Sequence, residues 1–243
     1  MLWVKPPKSS NMKCVILQPS YIPWRGYFHQ IALADAFIFY DDVQYDKRGW
    51  RNRNKIKTPD GTRWLTIPVH AKGAQTERIP INQIRIDWSK PWNEQHWSSI
   101  KHAYAKAPYF NQYSANLQEL FSQQPEFLAD FTITLTIEIA SWLGFKPQFI
   151  RSSEIPSHGE KTERLISILQ QQCADHYISG PSAKDYIDPA LFNQAGIKLE
   201  YMQYNYPEYP QLYPPFDGQV SILDLLFMTG DQAAKLITGN DHA

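Results

Sequence analysis

The run Gln18-Pro-Ser-Tyr-Ile-Pro-Trp-Arg-Gly-Tyr-Phe28 holds more chemistry-bearing groups than a structural turn needs. Gln18 and Arg25 offer an amide and a guanidinium, while Tyr21, Trp24 and Tyr27 offer flat rings with polar edges. Such a set suits a ligand that is part planar and part polar. Asp41 and Asp42 follow a short apolar run, and a carboxylate pair can hold Mg²⁺ beside phosphates or fix Arg51 or Arg53 in an ion pair. Lys47 to Lys57 carries six cations and no acid, with Trp50 inside it and Tyr45 just ahead. Arg51, Arg53 and Lys55, with the amides of Gln44 and Asn52, read as a clamp for one anionic small molecule. A solvated face, or a track for a nucleic-acid strand, is the other use of such a stretch.

Two further loops are rich in Ser, Gly and Lys. Ser152-Ser-Glu154 leads into Ser157-His-Gly-Glu-Lys-Thr162, and Ser179-Gly-Pro-Ser-Ala-Lys184 follows an apolar run. Loops that open helices present free N–H groups to phosphate, with Lys161 or Lys184 adding charge. Neither has P-loop spacing. Ser153, Glu154, Ser179 and Gly180 are the binding groups expected there, and His158 is the histidine placed to move a proton. No histidines have zinc-ligand spacing, and no Ser-His-Asp arrangement is defined.

These groups need elements to position them. Cys14–Leu17 and Ala36–Tyr40 are short apolar strands flanking a helix over Arg25–Leu33, which predicts a right-handed parallel crossover. The turn Thr58-Pro-Asp-Gly61 predicts a hairpin between the strand at Arg63–Val69 and the segment before it. Ile81–Asp87 reads as another strand. Residues 91–144 turn helical: Trp92, His96, Ile100 and Tyr104 recur every four positions, Leu117, Leu120 and Phe121 mark a second helix, and a third ends at Gly144. Strands at Gln148–Ser153, His176–Ser179 and Ile197–Tyr201 then alternate with a helix over Lys161–Gln172, and Ile222–Met228 is a last helix. The expected fold is one α/β domain over residues 12–243, mainly parallel, with flanking helices and a helical insert at about 91–144.

Composition narrows the partners. The chain has 243 residues and zero net charge, so no global field favours nucleic acid or an anionic membrane. Its two cysteines, Cys14 and Cys173, fit a reduced, cytoplasmic protein, and no apolar run is long enough to span a bilayer. Residues 1–11 read as a disordered tail. Aromatic residues make up 14%, many of them beside proline or charge, as in Asn205-Tyr-Pro-Glu-Tyr-Pro-Gln-Leu-Tyr-Pro-Pro215. They would line a sugar or nucleotide pocket or lid a core.

The chain resembles the WbqC-like protein family of bacteria. The resemblance rests on Gln18–Phe28, Asp41-Asp-Val-Gln-Tyr45, Trp50-Arg-Asn-Arg-Asn-Lys-Ile56, Trp64-Leu-Thr-Ile-Pro-Val69, Ser152-Ser-Glu154, Ile178-Ser-Gly-Pro181 and Ser221-Ile-Leu-Asp-Leu-Leu226, and spans Met12 to Gly230. It implies a place in O-antigen or other surface-polysaccharide synthesis. A strand, Pro-x-x-x-Pro-x-x-Gly, helix order also looks like the nucleotidylyltransferase (HUP-like) layout, although Trp24-Arg-Gly-Tyr27 replaces that layout's His-x-Gly-His. The function expected on these grounds is ATP-dependent aminoacylation of a nucleotide-linked amino sugar. The partners are then a nucleotide sugar and an amino acid, with ATP and Mg²⁺ as cofactors and no zinc, flavin or haem. Asp41, Asp42, Arg25 and His158 would be catalytic. The alternatives are a glycosyltransferase with Asp41 and Asp42 at its metal, or a non-catalytic sugar-binding or nucleotide-binding protein.

Overall fold

The computed structural model describes residues 11–239. Apart from Asn11, the expected tail over 1–11 lies outside them. In chain order the elements are β1 (Lys13–Leu17), α1 (Arg25–Leu33), β2 (Ala36–Phe39), β3 (Arg53–Thr58), β4 (Gly61–Thr66), β5 (Val69–His70), β6 (Arg85–Ile86), α2 (Trp92–Tyr104) and α3 (Phe110–Ser122). They continue with α4 (Leu128–Trp142), β7 (Gln148–Arg151), α5 (Lys161–Gln171), β8 (His176–Ser179), α6 (Pro189–Gln194), β9 (Lys198–Tyr201), α7 (Ile222–Thr229) and α8 (Ala233–Thr238). The chain forms two compact units. One comprises residues up to Leu17, Gln30–Tyr40 and Lys146–Tyr204; the other comprises Gln18–His29, Asp41–Phe145 and Asn205 onward.

The first unit is built on a five-stranded sheet in the order β7-β2-β1-β8-β9, with every neighbouring pair parallel. The parallel pairing of β1 with β2 is as expected. Its central strands are continuous apolar runs because parallel strands are covered on both faces. Cys14, Val15, Phe37 and Ile38 are fully buried, and burial pushes the Cys14 thiol up to about 12. Leu165, Ile168 and Leu169 of α5 recur at helical spacing and join Ile16, Ile38 and Tyr177 in one core cluster. Phe192 of α6 stacks on Tyr177, centroids 5.5 Å apart. The edge strand β9 is charged instead. Glu200 accepts from Lys198 Nζ at 3.1 Å and pairs with His176 Nε2 at 2.9 Å, which blunts the open edge.

The second unit carries the hairpin β3–β4, joined through Thr58-Pro-Asp-Gly61 with Gly61 at φ 103°. Asn54, Ile56 and Leu65 are buried on one hairpin face. Trp92, His96, Ile100 and Tyr104 of α2 are buried at the expected four-residue spacing. The chain after α4 reverses at Gly144, φ 79°, where Phe145 N–H donates to the Ala140 carbonyl at 2.9 Å. The expected strand at Ile81–Asp87 is instead a 3₁₀ turn over Ile81–Gln83 followed by β6. Ile81, Ile84 and Ile86 are all buried, and the tight turn achieves for the first two, three residues apart, what alternation would not. The helices of 91–144 belong to this larger unit, together with the hairpin and α7 and α8.

Candidate functional site

Numbered by appearance, the sheet of the first unit runs 3-2-1-4-5, so its order reverses between β1 and β8. In open parallel sheets ligands bind outside the carboxyl ends of the strands at that reversal. Past β8 stand buried Ser179 and then Gly180, whose absent Cβ would lie 3.5 Å from the Tyr204 hydroxyl. That hydroxyl accepts a hydrogen bond from Gln30 Nε2 at 2.8 Å. Burial raises the Tyr204 phenol to about 12, so it stays a neutral donor. Gln30 Oε1 is buried with no hydrogen-bond partner among the described residues.

Two cation–tyrosine pairs flank this point within the unit. On the β9 side Lys184 Nζ lies 5.1 Å from the Tyr201 ring centroid. Beyond β2, the Arg164 guanidinium lies 5.2 Å from the Tyr40 ring. Each pair offers a π face and a positive charge together, the combination that a base or sugar ring joined to phosphate requires. The loop before α5 brings His158 to Ser167. Ser167 Oγ and His158 Nδ1 are 3.0 Å apart, which fixes the ring while leaving the residue exposed. Ser152 is buried, whereas Ser153, Glu154, Lys161 and Lys184 are exposed.

In the second unit the Gln18–Phe28 run is held as a built object. Arg51 Nη1 donates to the Gln18 carbonyl at 3.1 Å, the Pro19 carbonyl at 3.2 Å and Ser20 Oγ at 2.9 Å. Tyr27 OH donates to the Gln18 carbonyl at 3.1 Å, and Asn54 Nδ2 spans the carbonyls of Tyr21 and Ile22. Asn52 closes the same scaffold with Nδ2 on the Ile67 carbonyl at 2.8 Å. Tyr21 is fully buried between His96, Phe121 and Phe131. Its hydroxyl lies 2.8 Å from His96 Nδ1. A hydrogen bond from the His96 ring to the Thr66 carbonyl leaves Nδ1 as the acceptor, and burial lowers the imidazole to about 4. Tyr21, Tyr27, Asn52 and Arg51 thus shape the turn from within.

Arg25 is 6% exposed, an unusual place for a guanidinium. Nη1 donates to the Pro207 carbonyl at 2.8 Å, and the group lies 4.6 Å from the Tyr206 ring and 5.5 Å from that of Tyr209. Desolvation lowers its pKa. Trp24 meets Tyr206 edge-on, and its ring lies 2.3 Å from where a Cβ on Gly26 would be, so only glycine fits there. Arg53 Nη2 donates to the Arg48 carbonyl, and its guanidinium lies over Trp64. Lys55 pairs with Asp217 at 3.4 Å, and exposed Gln44 donates to the Gln75 carbonyl. Asp41 is fully buried and Asp42 half-buried. Among the described residues no three His, Cys, Asp or Glu side chains are grouped to hold a metal. The Asp41–Asp42 pair therefore fits Mg²⁺ only if substrate phosphates complete the shell, and no step below is routed through it.

Sequence reasoning missed Tyr40, Arg164 and Tyr201 at the sheet edge, although two of them sit at or just past strand ends. It also missed a buried polar hub in the second unit. Asp224, fully buried, accepts from Tyr104 OH at 2.9 Å, Tyr209 OH at 2.8 Å and Gln211 Nε2 at 2.8 Å. The signal was a lone carboxylate in the otherwise apolar helix Ile222-Leu-Asp-Leu-Leu-Phe227, which must find partners when buried.

Comparison with known proteins now bears on these residues. The chain is 40% identical over 223 residues to the uncharacterized protein Rv1507c of Mycobacterium tuberculosis, covering 91% of this chain and 95% of that one. No solved structure matches it. Residues 18–236, from the clamped turn through the Asp224 helix, match one family along their whole length, and the chain belongs to the WbqC-like protein family.

Proposed function

We propose that this protein modifies a nucleotide-linked amino sugar in bacterial surface-polysaccharide assembly, by joining an amino acid to the sugar amine with ATP consumed. The observation that carries the reading is the reversal of strand order between β1 and β8 with a cation–tyrosine pair on each side. A nucleotidylyltransferase-like layout would place a nucleotide at such a reversal, and the family supports the polysaccharide setting. Lys184 and Arg164 would hold phosphates, while Tyr201 and Tyr40 would pack the base or sugar. The orphaned Gln30 Oε1 fits a donor on such a ligand. ATP, when bound, would supply activation of the amino-acid carboxylate, with diphosphate released. The sugar amine then forms the C–N bond, AMP leaves, and His158 takes the amine proton through its second ring nitrogen.

The test incubates the protein with ATP, a panel of amino acids and UDP-linked amino sugars, following AMP release and product mass. An amide-bearing sugar is expected, with turnover reduced about tenfold or more in Lys184→Ala and Arg164→Ala, the loss due to one charge-assisted contact. No turnover with any combination, together with no thermal shift on adding ATP or nucleotide sugar, would overturn the reading. Transfer from a nucleotide sugar without ATP would make the protein a glycosyltransferase instead.

A further inference from the structure

Arg25, at the start of α1, is a guanidinium buried without a counter-charge. Among the described residues no carboxylate pairs with it: burial lowers its pKa, and only the phenols of Tyr206 and Tyr209 oppose that. Asp217 stands one residue before Gly218, which adjoins the guanidinium, but Asp217 is paired with Lys55 at 3.4 Å. A charge that is buried for packing alone is normally paired, because leaving it unpaired is strongly unfavourable. Three rings surround the group, with Tyr206 at 4.6 Å, Tyr209 at 5.5 Å and Phe216 at 5.9 Å from its central carbon. These contacts hold the charge in place but supply no oxygen to its N–H donors. Both phenol oxygens are engaged elsewhere, Tyr206 with His29 Nδ1 at 2.9 Å and Tyr209 with Asp224 at 2.8 Å.

The donors of Arg25 are unevenly used. Among the described residues its hydrogen bond leaves from Nη1, to the Pro207 carbonyl, and Nε is buried with no partner. Nε and Nη2 share the other edge, the side-on fork that takes two oxygens of one carboxylate or phosphate. Gly218 leaves room beside that fork. A Cβ there would lie 2.8 Å from Nη2 and 3.2 Å from the Phe216 ring. The backbone of Gly218 is not left-handed, so what glycine preserves here is space. A point 2.8 Å from a guanidinium nitrogen is where an accepting oxygen sits. A nucleic-acid strand or an acidic protein surface needs cations presented outward, whereas this one is 6% exposed. A neutral sugar does not answer an unpaired charge. The ligand class that does is the acidic end of a small molecule. We infer that Arg25 anchors an oxyanion-binding site in the second unit, receiving the carboxylate or phosphate group of a small molecule on its Nε–Nη2 edge. Half-buried Trp24 and Tyr206, edge-on at 6.0 Å, stand beside it to pack the rest of that molecule. Every group named belongs to the second unit, so the site does not rest on the sheet-edge reading.

The test uses the full chain carrying Lys184→Ala and Arg164→Ala, which removes the two sheet-edge cations. Inorganic phosphate and acetate are titrated separately at constant ionic strength set with chloride, while heteronuclear NMR follows the arginine Nε–H signals. The Arg25 signal is identified by its loss in Arg25→Met, or in Arg25→Lys where the methionine variant does not fold. Saturable movement of that signal is expected, by phosphate if the ligand is a phosphate and by acetate if it is a carboxylate. Gly218→Ala keeps the guanidinium and its charge but fills the space beside Nη2, and should weaken binding about tenfold or more with the melting temperature retained. A guanidinium that only holds the Tyr206–Gly218 segment would respond to neither anion and would be indifferent to a methyl group at 218. The inference is overturned if neither anion moves the Arg25 signal, if chloride alone moves it equally, or if Gly218→Ala binds as tightly. Amide formation by the unaltered protein with no anion effect at Arg25 would leave the sheet-edge reading intact and remove this one. Anion binding at Arg25 without amide formation would do the reverse.

Discussion

Arg51, expected to help clamp an anionic small molecule, donates to the backbone and hydroxyl of Gln18–Ser20, and replacing it with methionine measures what that contribution to the turn is worth. Methionine keeps an unbranched stem of similar length, so packing changes little while the donors vanish. Nη1 serves three oxygens, those of Gln18, Pro19 and Ser20, with only two hydrogens, so about two full bonds are lost. The Gln18 carbonyl keeps its bond from Tyr27 and the Ser20 hydroxyl still donates to it at 3.4 Å, which leaves the buried Pro19 carbonyl orphaned. That orphan costs about 1–3 kcal/mol and the lost charge-assisted bond to Ser20 about 1.5–3 kcal/mol, and relief from desolvating the guanidinium offsets part of the sum. The expected loss is about 2–4 kcal/mol, read from urea unfolding followed by far-ultraviolet circular dichroism. Arg51→Lys should fall in the same direction, since an ammonium lacks the planar fork. A variant within about 0.5 kcal/mol of wild type, the scatter of neutral surface changes, would refute the clamp.

Protonation gives two further predictions. His96 has a folded pKa of about 4, below its unfolded value, so the native state binds fewer protons between the two. Its contribution is complete above the unfolded pKa of about 6.5 and is lost as pH falls toward 4; urea midpoints should drop over that window in the wild type and flatten in His96→Gln. Asp224 is shifted the other way, its carboxyl raised first by burial. The native state then binds the extra proton, so stability falls as pH rises through the folded pKa, and Asp224→Asn should lack that slope across the same titration. Finally, a thiol reagent applied to native protein should label half-buried Cys173 and spare Cys14 until urea exposes it. Labelling of both at equal rates would contradict the burial of β1.

The sheet was legible because its strands obey a local rule. His176–Ser179 matches the expected strand residue for residue, and the helix at Arg25–Leu33 does the same, since each is an apolar pattern of one period bounded by a turn. Ile81–Asp87 misled because Ile84 and Ile86 alternate as in a strand, whereas buried Ile81 stands three residues before Ile84, the spacing of a tight turn. The site was legible by residue type and not by partner. Arg51 binds backbone carbonyls, which leave no mark in a side-chain pattern, and they lie 32 and 33 residues earlier. Tyr21 looked like a ligand contact because of its proline-rich neighbourhood; what buries it is α2, α3 and α4, some 75 to 110 positions later.

The alternation of segments between the two units has a consequence for biosynthesis. The chain changes unit at Gln18, Gln30, Asp41, Lys146 and Asn205, so no single cut yields either unit whole. β1 and β2 leave the ribosome well before β7 and β8, which cover their remaining edges and arrive more than a hundred residues later. Until then the nascent chain carries a two-stranded parallel ribbon that is not stable by itself, with both outer edges open to other strands. The second unit also waits for α7, which brings Asp224 to Tyr104 120 residues later. Folding is therefore expected to be largely post-translational and slow for the chain's size, and truncations from the C-terminus should aggregate rather than yield a smaller working protein.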